Sequence, residues 1–265
     1  MKRLVLLLLL MVIVTIFSEA RKSGSKTAQA SRALPSTAAA DMQEPAPQEW
    51  DPLKEGVGDV TEGPLAEAAP AKPKPIEIVK RRFTPEGFAK YVKTAVVPEL
   101  MKSGHWRPSF IVLHHTGVPS INQRPSGFTT DNMQALAHYY GVNQKWRTGP
   151  HVFVDQNGIW VFTRLTRRGT HSPSWNRVAW GIEQLGNFIT ESYVEGDGAK
   201  VRDNAIAAVA ILCVARGFNA KGLRFHKDDP KTTHKDCPGD TCVNSDVLTK
   251  IEDGINDWRK KWNSL

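Results

Sequence analysis

The sequence predicts an α/β domain with a single mixed central β-sheet flanked by helices. A continuous apolar run at 110–113 is typical of a buried central strand. The segment 151–162 has an Asp-Gln-Asn-Gly turn between two apolar stretches, which predicts a β-hairpin because Asn-Gly tolerates positive φ. Helical periodicity is clearest over 199–216 and 245–262. Strands interleaved with helices predict one sheet covered by helices.

The predicted elements follow each other in a regular order. They are helix 85–100, strand 110–113, helix 130–140, strands 151–154 and 159–162, strand 178–185, helix 199–216, strand 223–225 and helix 245–262. Thr84 is placed to cap the predicted helix 85–100. Gly217 directly follows the predicted helix 199–216 and ends it. Trp146, Trp160 and Trp180 are interpreted as core residues, since their spacing suits strands and helix ends.

The first twenty residues predict a signal peptide. Lys2 and Arg3 precede an apolar run, Leu4–Phe17, and the small residues Ser18 and Ala20 follow it. As a helix this run spans roughly 21 Å, which is short of the ~30 Å hydrocarbon core of a bilayer. An uncleaved signal anchor is the alternative and is the only membrane attachment that we expect. We therefore expect export to the periplasm or cell envelope, or secretion.

Residues 21–78 predict a disordered linker, and residues 79–265 the folded domain. The linker region is rich in Pro and Ala and has no apolar periodicity. The domain has 26 basic and 17 acidic residues, a net charge of +9. Because it has no compact basic patch with interleaved aromatic residues and no known nucleic-acid module, we do not interpret this charge as a nucleic-acid surface; it favours attraction to another anionic partner. The oligomeric state is not predicted.

Two predicted strands end in polar residues. The run Ile111–Leu113 leads into His114 and His115, which places an imidazole at the rim of the sheet. The stretch Trp180–Ile182 leads into Glu183. Burial of an isolated carboxylate is costly and raises its pKa towards the range of a useful base. The alternatives are a hydrogen-bonded structural histidine and a structural ion pair at Glu183, and spacing does not choose between His114 and His115.

The loop 226–239 holds the densest group of potential metal ligands. It includes His226, His234 and Cys237, whose imidazole and thiolate groups are good Zn²⁺ ligands. A Pro-Gly pair predicts a sharp turn directly after Cys237. The alternatives are an ordinary solvated loop and a disulfide from Cys237 to Cys242. Spacing does not choose between His226 and His234, but the loop and the two strand ends together favour a metal site.

Four blocks of sequence resemble a known family. They are Ile111–Thr116, Gly149–Gly158, Gly181–Glu183 and the stretch that ends Lys235–Gly239. In their order and separation they resemble the zinc-dependent N-acetylmuramoyl-L-alanine amidases of the type 2 family, which are related to peptidoglycan-recognition proteins and T7-like lysozymes. The resemblance covers about residues 106–244.

The resemblance implies a site and an activity. Zn²⁺ ligands would be His114, His226 and Cys237, and catalytic residues Glu183 and Lys235. Two imidazoles and one thiolate would leave the fourth tetrahedral position for water, as in catalytic zinc sites. The implied reaction is hydrolysis of the amide between N-acetylmuramic acid and L-alanine in peptidoglycan or muropeptides. A non-catalytic muropeptide-recognition module of the same fold is the alternative.

Substrate contacts are expected at His171, which lies where related enzymes place a groove histidine, and at Trp175 and Asn176, which follow closely. The chain departs from the family pattern at two places. The interval between His226 and Cys237 is longer than in the shorter members, so His234 stays a rival ligand. The catalytic tyrosine of the T7-like members is replaced by proline at position 150, which shifts the assisting role to the carboxylate.

Overall fold

The computed structural model describes residues 73–265, and these residues build a six-stranded mixed sheet. The strands are β1 (Arg81–Phe83), β2 (Phe110–His115), β3 (Val152–Asp155), β4 (Gly158–Val161), β5 (Ala179–Gln184) and β6 (Leu223–Phe225). Their spatial order is β1-β4-β3-β5-β2-β6. The pairs β3–β5, β5–β2 and β2–β6 are parallel, whereas β1–β4 and β3–β4 are antiparallel. The predicted fold class is therefore confirmed.

The helices flank this sheet. They are α1 (Pro85–Tyr91), α2 (Val97–Met101), α3 (Thr130–His138), α4 (Gly196–Arg216), α5 (Asp240–Val243) and α6 (Val247–Trp262). The Thr84 hydroxyl caps α1 by accepting from the Gly87 N–H. A π-helical turn, Val92–Val96, joins α1 to α2. We attribute the wider turn to Pro98, which has no N–H for a regular helical bond.

The centre of the sheet is apolar because it is covered on both faces. Helix α4 buries Val209, Ile211 and Leu212, and α6 presents Ile255 and Trp258 to the core. Within residues 73–265, no helix combines the length and apolar character that crossing a bilayer takes.

The hairpin β3–β4 forms as predicted, with Asp155 paired to Gly158. Strand β1, which the sequence analysis does not predict, pairs with β4 at the edge of the sheet. Only Phe83 of its three residues is buried, so the strand has almost no apolar pattern to detect. Trp160 and Trp180 are core residues as predicted, with 5% and 0% of their surfaces exposed.

The predicted signal peptide and residues 21–72 of the predicted linker lie outside the described residues. Residues 73–78, also assigned to that linker, contain no helix or strand but lie against the domain. The Ile76 N–H donates to the Ala137 carbonyl oxygen at 3.0 Å, and the Ile76 side chain is buried. The Glu77 carboxylate lies 2.9 Å from the Arg164 guanidinium.

Candidate metal centre and active site

Three neighbouring parallel strands bring the candidate site together at their carboxyl ends. In the β2–β5 register, His114 lies opposite Glu183. In the β2–β6 register, Leu113 lies opposite Phe225, so His226 follows directly after the paired segment. The register therefore places a carboxylate and two imidazoles in a row at the edge where α/β sheets usually bind ligands.

The described residues contain one group of side chains with metal-ligand geometry: His114, His226 and Cys237. Their ligand atoms lie within 4.8 Å of one another, and all three residues are buried. Both imidazoles form a hydrogen bond through Nε2. His114 Nε2 lies 3.1 Å from His171 Nδ1, and His226 Nε2 lies 2.9 Å from Thr232 Oγ1. Each Nδ1 is thus the atom left for a metal. Two imidazoles and a thiol are a donor set that fits Zn²⁺.

The rival histidines occupy other positions. The His115 Nδ1 accepts from the Phe188 N–H at 3.2 Å, while the His115 backbone N–H donates to Cys237 Sγ at 3.4 Å. The His234 ring stacks on the His226 ring, with 5.5 Å between their centroids, and is outside the ligand group. The alternative of a disulfide from Cys237 to Cys242 is not observed, because Cys213, Cys237 and Cys242 are all free thiols.

A tight turn positions Cys237. Gly239 has a φ of +95°, and a Cβ there would overlap the Phe188 backbone, so this turn requires glycine. The Cys237 carbonyl oxygen accepts from the Lys227 N–H at 2.8 Å, which joins the end of the loop to its start. These contacts hold the thiol opposite the strand-end imidazoles.

Burial keeps the site groups uncharged when no metal is bound. It raises the pKa of Glu183 to about 8, and it raises the pKa of the Cys237 thiol above its usual range. It lowers the pKa of His226 to about 4 and that of His114 well below its usual range. Both imidazoles are therefore neutral at pH 7, as metal ligation requires.

A cavity of about 360 Å³, which we call the metal cavity, opens onto these groups. His114, His226, Cys237 and Glu183 line it together with Tyr140. The Glu183 carboxylate lies 3.8 Å from His114 Nδ1, and its side chain is 14% exposed. A carboxylate of raised pKa beside a metal-ligand group can exchange protons with a water or an amine in the cavity.

Two further cavities adjoin this one, and Trp146 lines all three. One, of about 330 Å³, is bordered by Asn176. The other, of about 570 Å³, is mainly basic. Its charged lining residues are Lys74, Lys145, Arg147, Arg164, Arg167 and Glu77.

Only some of the predicted catalytic and substrate-binding residues line the metal cavity. Glu183 lies in the metal cavity, but Lys235 is not among its lining residues. The Lys235 ammonium instead donates to the Asp229 carbonyl oxygen at 3.2 Å. His171 is buried with both ring nitrogens hydrogen-bonded, and Asn176 lines the neighbouring cavity. Trp175 packs edge-on against Phe110 at 5.5 Å.

Two aromatic residues at the site, Tyr140 and Trp146, are not predicted from the sequence. Tyr140 has the spacing of an inward-facing helical residue, yet it lies in the π-helical turn Tyr139–Asn143 after α3 and lines the metal cavity. Trp146 is half-buried and stacks on Tyr140 with 4.9 Å between ring centroids, so its assignment to the core is wrong. An aromatic pair six residues apart near a predicted helix end is the only sequence signal for this wall.

The fold and site define a class: an α/β protein with a His/His/Cys ligand group and a largely buried carboxylate at the ends of parallel strands. The model of the N-acetylmuramoyl-L-alanine amidase family, Amidase_2, matches residues 105–240, about half of the chain. The chain belongs to this family. The resemblance of the four sequence blocks is thereby confirmed, and membership supports an amidase that acts on peptidoglycan.

Solved structures of similar proteins include endolysins and a peptidoglycan-recognition protein. The endolysin N-acetylmuramoyl-L-alanine amidase LysCS from Clostridium intestinale is 25% identical, with 51% of this chain and 78% of that chain covered and a TM-score of 0.40. The catalytic domain of XlyA is 21% identical, with coverages of 57% and 88% and a TM-score of 0.42. Drosophila PGRP-LB is 19% identical, with coverages of 58% and 84% and a TM-score of 0.39. No curated protein matches the chain.

Proposed function

We propose that this protein is a zinc-dependent N-acetylmuramoyl-L-alanine amidase, which hydrolyses the amide between N-acetylmuramic acid and the L-alanine of the stem peptide. The observation that carries the proposal is the position of Glu183. Its carboxylate lies 3.8 Å from the free Nδ1 of a ligand histidine, His114, in a cavity that a substrate can enter. Family membership supports the substrate class.

His114, His226 and Cys237 would hold the zinc ion. When bound, zinc supplies Lewis acidity that polarises the amide carbonyl and makes a water molecule more acidic. The neutral imidazoles are ready to donate their lone pairs, whereas the thiol must first lose its proton. The His115 backbone N–H, at 3.4 Å from Sγ, stabilises the resulting thiolate.

Glu183 is the proton-transfer group of the proposed reaction. It accepts a proton from the attacking water and returns it to the leaving amine of L-alanine, so the carboxylate is regenerated. A role for Lys235 at the developing oxyanion requires its ammonium to leave the Asp229 carbonyl oxygen. The substrate contacts proposed for Trp175 and Asn176 lie outside the metal cavity, on the side of the second cavity for Asn176.

The basic cavity favours the anionic carboxylates of stem peptides, because cationic walls around a concave surface concentrate negative ligands. Peptidoglycan lies outside the cytoplasm. We therefore also propose that the chain acts in the cell envelope after export, with residues 1–20 as its signal peptide.

Incubation of the purified protein with muropeptides tests the proposal. We expect release of free stem peptide, loss of this release on chelation, and recovery when zinc is added back. Glu183→Gln should keep the bound zinc but lower the rate about 10²- to 10⁴-fold. His234→Ala is the matched control for a histidine beside the site that is not a ligand. Binding of muropeptides without cleavage by the zinc-loaded protein would support the recognition-module alternative.

A further inference from the structure

We propose that His171 is a positioning residue that fixes the tautomer and the ring orientation of the ligand His114. The inference rests on the proposed function only in that a metal binds at His114. Its basis is a chain of two hydrogen bonds that runs from a backbone carbonyl through one buried imidazole to the next. From the sequence, His171 is expected to contact substrate; in the structure it lines the metal cavity, and its ring also lies against the ligand His114.

The backbone carbonyl at one end determines which atom donates in each of the two hydrogen bonds. His171 Nε2 lies 3.2 Å from the Ala179 carbonyl oxygen, which can only accept. Nε2 of His171 therefore carries a hydrogen. A neutral imidazole has one N–H, so a His171 ring that donates from Nε2 offers Nδ1 as an acceptor.

The partner of that acceptor is His114 Nε2, at 3.1 Å. His114 must accordingly donate from Nε2, and its own Nδ1 has the free lone pair. This Nδ1 is the atom that faces Glu183 in the cavity. The backbone carbonyl of Ala179 thus determines, through His171, which nitrogen of His114 is offered to a metal.

The His171 ring is held so that it cannot turn away. It packs directly on Gly181, where any Cβ would overlap the ring. The His151 ring lies on another side, with 5.8 Å between centroids. The Asn176 side-chain oxygen accepts from the backbone N–H groups of His171 and Ser172 at 2.6 and 2.7 Å, which fixes the main chain.

The second imidazole ligand has a separate partner. His226 Nε2 lies 2.9 Å from Thr232 Oγ1, and that hydroxyl also accepts from the His234 N–H at 3.1 Å. Both ligands thus have Nε2 engaged and Nδ1 free, but only His114 depends on His171. Loss of such a partner typically weakens metal binding by about 10- to 100-fold.

The test compares His171→Leu, which removes both ring nitrogens, with His171→Asn, whose side-chain oxygen can stand where Nδ1 stands. Zinc affinity is measured on the full chain by competition with a chromophoric chelator. We expect about 10- to 100-fold weaker binding for the Leu variant and partial recovery for the Asn variant. His138→Asn is the control, because it removes an exposed imidazole at the end of α3 that is outside the ligand group.

Nitrogen NMR of the zinc-free protein, labelled with ¹⁵N-histidine, tests the hydrogen bond directly and does not need a folded variant. We expect protonated Nε2 atoms on both rings and a scalar coupling between His114 Nε2 and His171 Nδ1. A His114 ring protonated at Nδ1, or absence of this coupling, would overturn the inference. So would wild-type zinc affinity in a folded His171→Leu protein.

Failure of this inference is separate from failure of the proposed function. A wild-type protein that cleaves muropeptides while His171→Leu binds zinc equally well contradicts the positioning role alone. The opposite result contradicts the amidase proposal alone. In that case the wild type binds zinc and shows the coupling, and His171→Leu binds zinc more weakly, yet the wild type cleaves no muropeptide.

Discussion

The buried carboxylate of Glu183 should make the metal-free protein lose stability relative to Glu183→Gln as the pH rises, because only the wild type has this titrating group. Burial raises the pKa of Glu183 from 4.5 to about 8. The folded state therefore retains a proton that the unfolded chain loses between these two values. Stability associated with the protonated form is complete below about pH 4.5 and is lost as the pH rises towards 8.

The size of the effect follows from the shift. A difference of one pKa unit corresponds to about 1.36 kcal/mol, so the complete shift corresponds to about 5 kcal/mol. Between about pH 6.5 and pH 8, the linkage relation gives a loss of roughly 1–2 kcal/mol for the wild type relative to Glu183→Gln. His114 and His226 cancel from this difference, because both proteins contain them. Each imidazole is neutral in the folded state and titrates equally in the two unfolded chains.

Urea unfolding of the two proteins, with chelator present, measures the free energy of unfolding at both pH values. Chelator is needed because a cation beside the carboxylate would favour its charged form. Glu252→Gln, which changes an exposed carboxylate on α6, reports the effect of removing a surface charge. Two results would refute the reasoning. One is a difference in the free energy of unfolding between wild type and Glu183→Gln that is the same at both pH values. The other is a wild type that becomes more stable relative to the variant as the pH rises.

Three further predictions concern the metal centre and its support. Zinc binding at pH 7 should release a proton from the Cys237 thiol. Calorimetry in buffers of different ionisation enthalpy detects this proton, because the measured heat of binding then depends on the buffer. A heat of binding that is the same in all buffers contradicts the prediction. His226→Ala should lose stoichiometric zinc in elemental analysis and His234→Ala should keep it, and the reverse result would exchange the two histidines. Gly181→Ala should lower the free energy of unfolding by about 1–3 kcal/mol, since its Cβ overlaps the His171 ring; an unchanged urea midpoint contradicts this.

Much of the site could be predicted because it depends on strand ends. An apolar run followed at once by a polar residue identifies where a buried strand reaches the rim, and His114 and Glu183 both have this signature. The structure places them opposite each other in parallel strands, with His226 at the end of the next strand. Sequence could not choose between neighbouring histidines, since that choice depends on the direction of a side chain at the strand end.

The parts that sequence could not predict depend on contacts between distant elements. Tyr140 and Trp146 form a cavity wall only because the π-helical turn after α3 brings their rings together. The contact of His171 with His114 joins residues that are 57 positions apart, and it requires a glycine at position 181 on a third segment. Neither contact has a periodic pattern that a local window could detect.

The chemistry of the metal-free site also has a common physical origin. Burial favours the uncharged form of each group, which means neutral imidazoles at His114 and His226, a thiol at Cys237 and a carboxylic acid at Glu183. Such a site avoids the cost of an unpaired buried charge. A divalent cation reverses the preference for the thiol and the carboxylic acid, and their ionisation would offset its two positive charges. In the proposed mechanism a bound metal would therefore raise the ionised fraction of Glu183, the proton acceptor, and so couple proton transfer to metal binding.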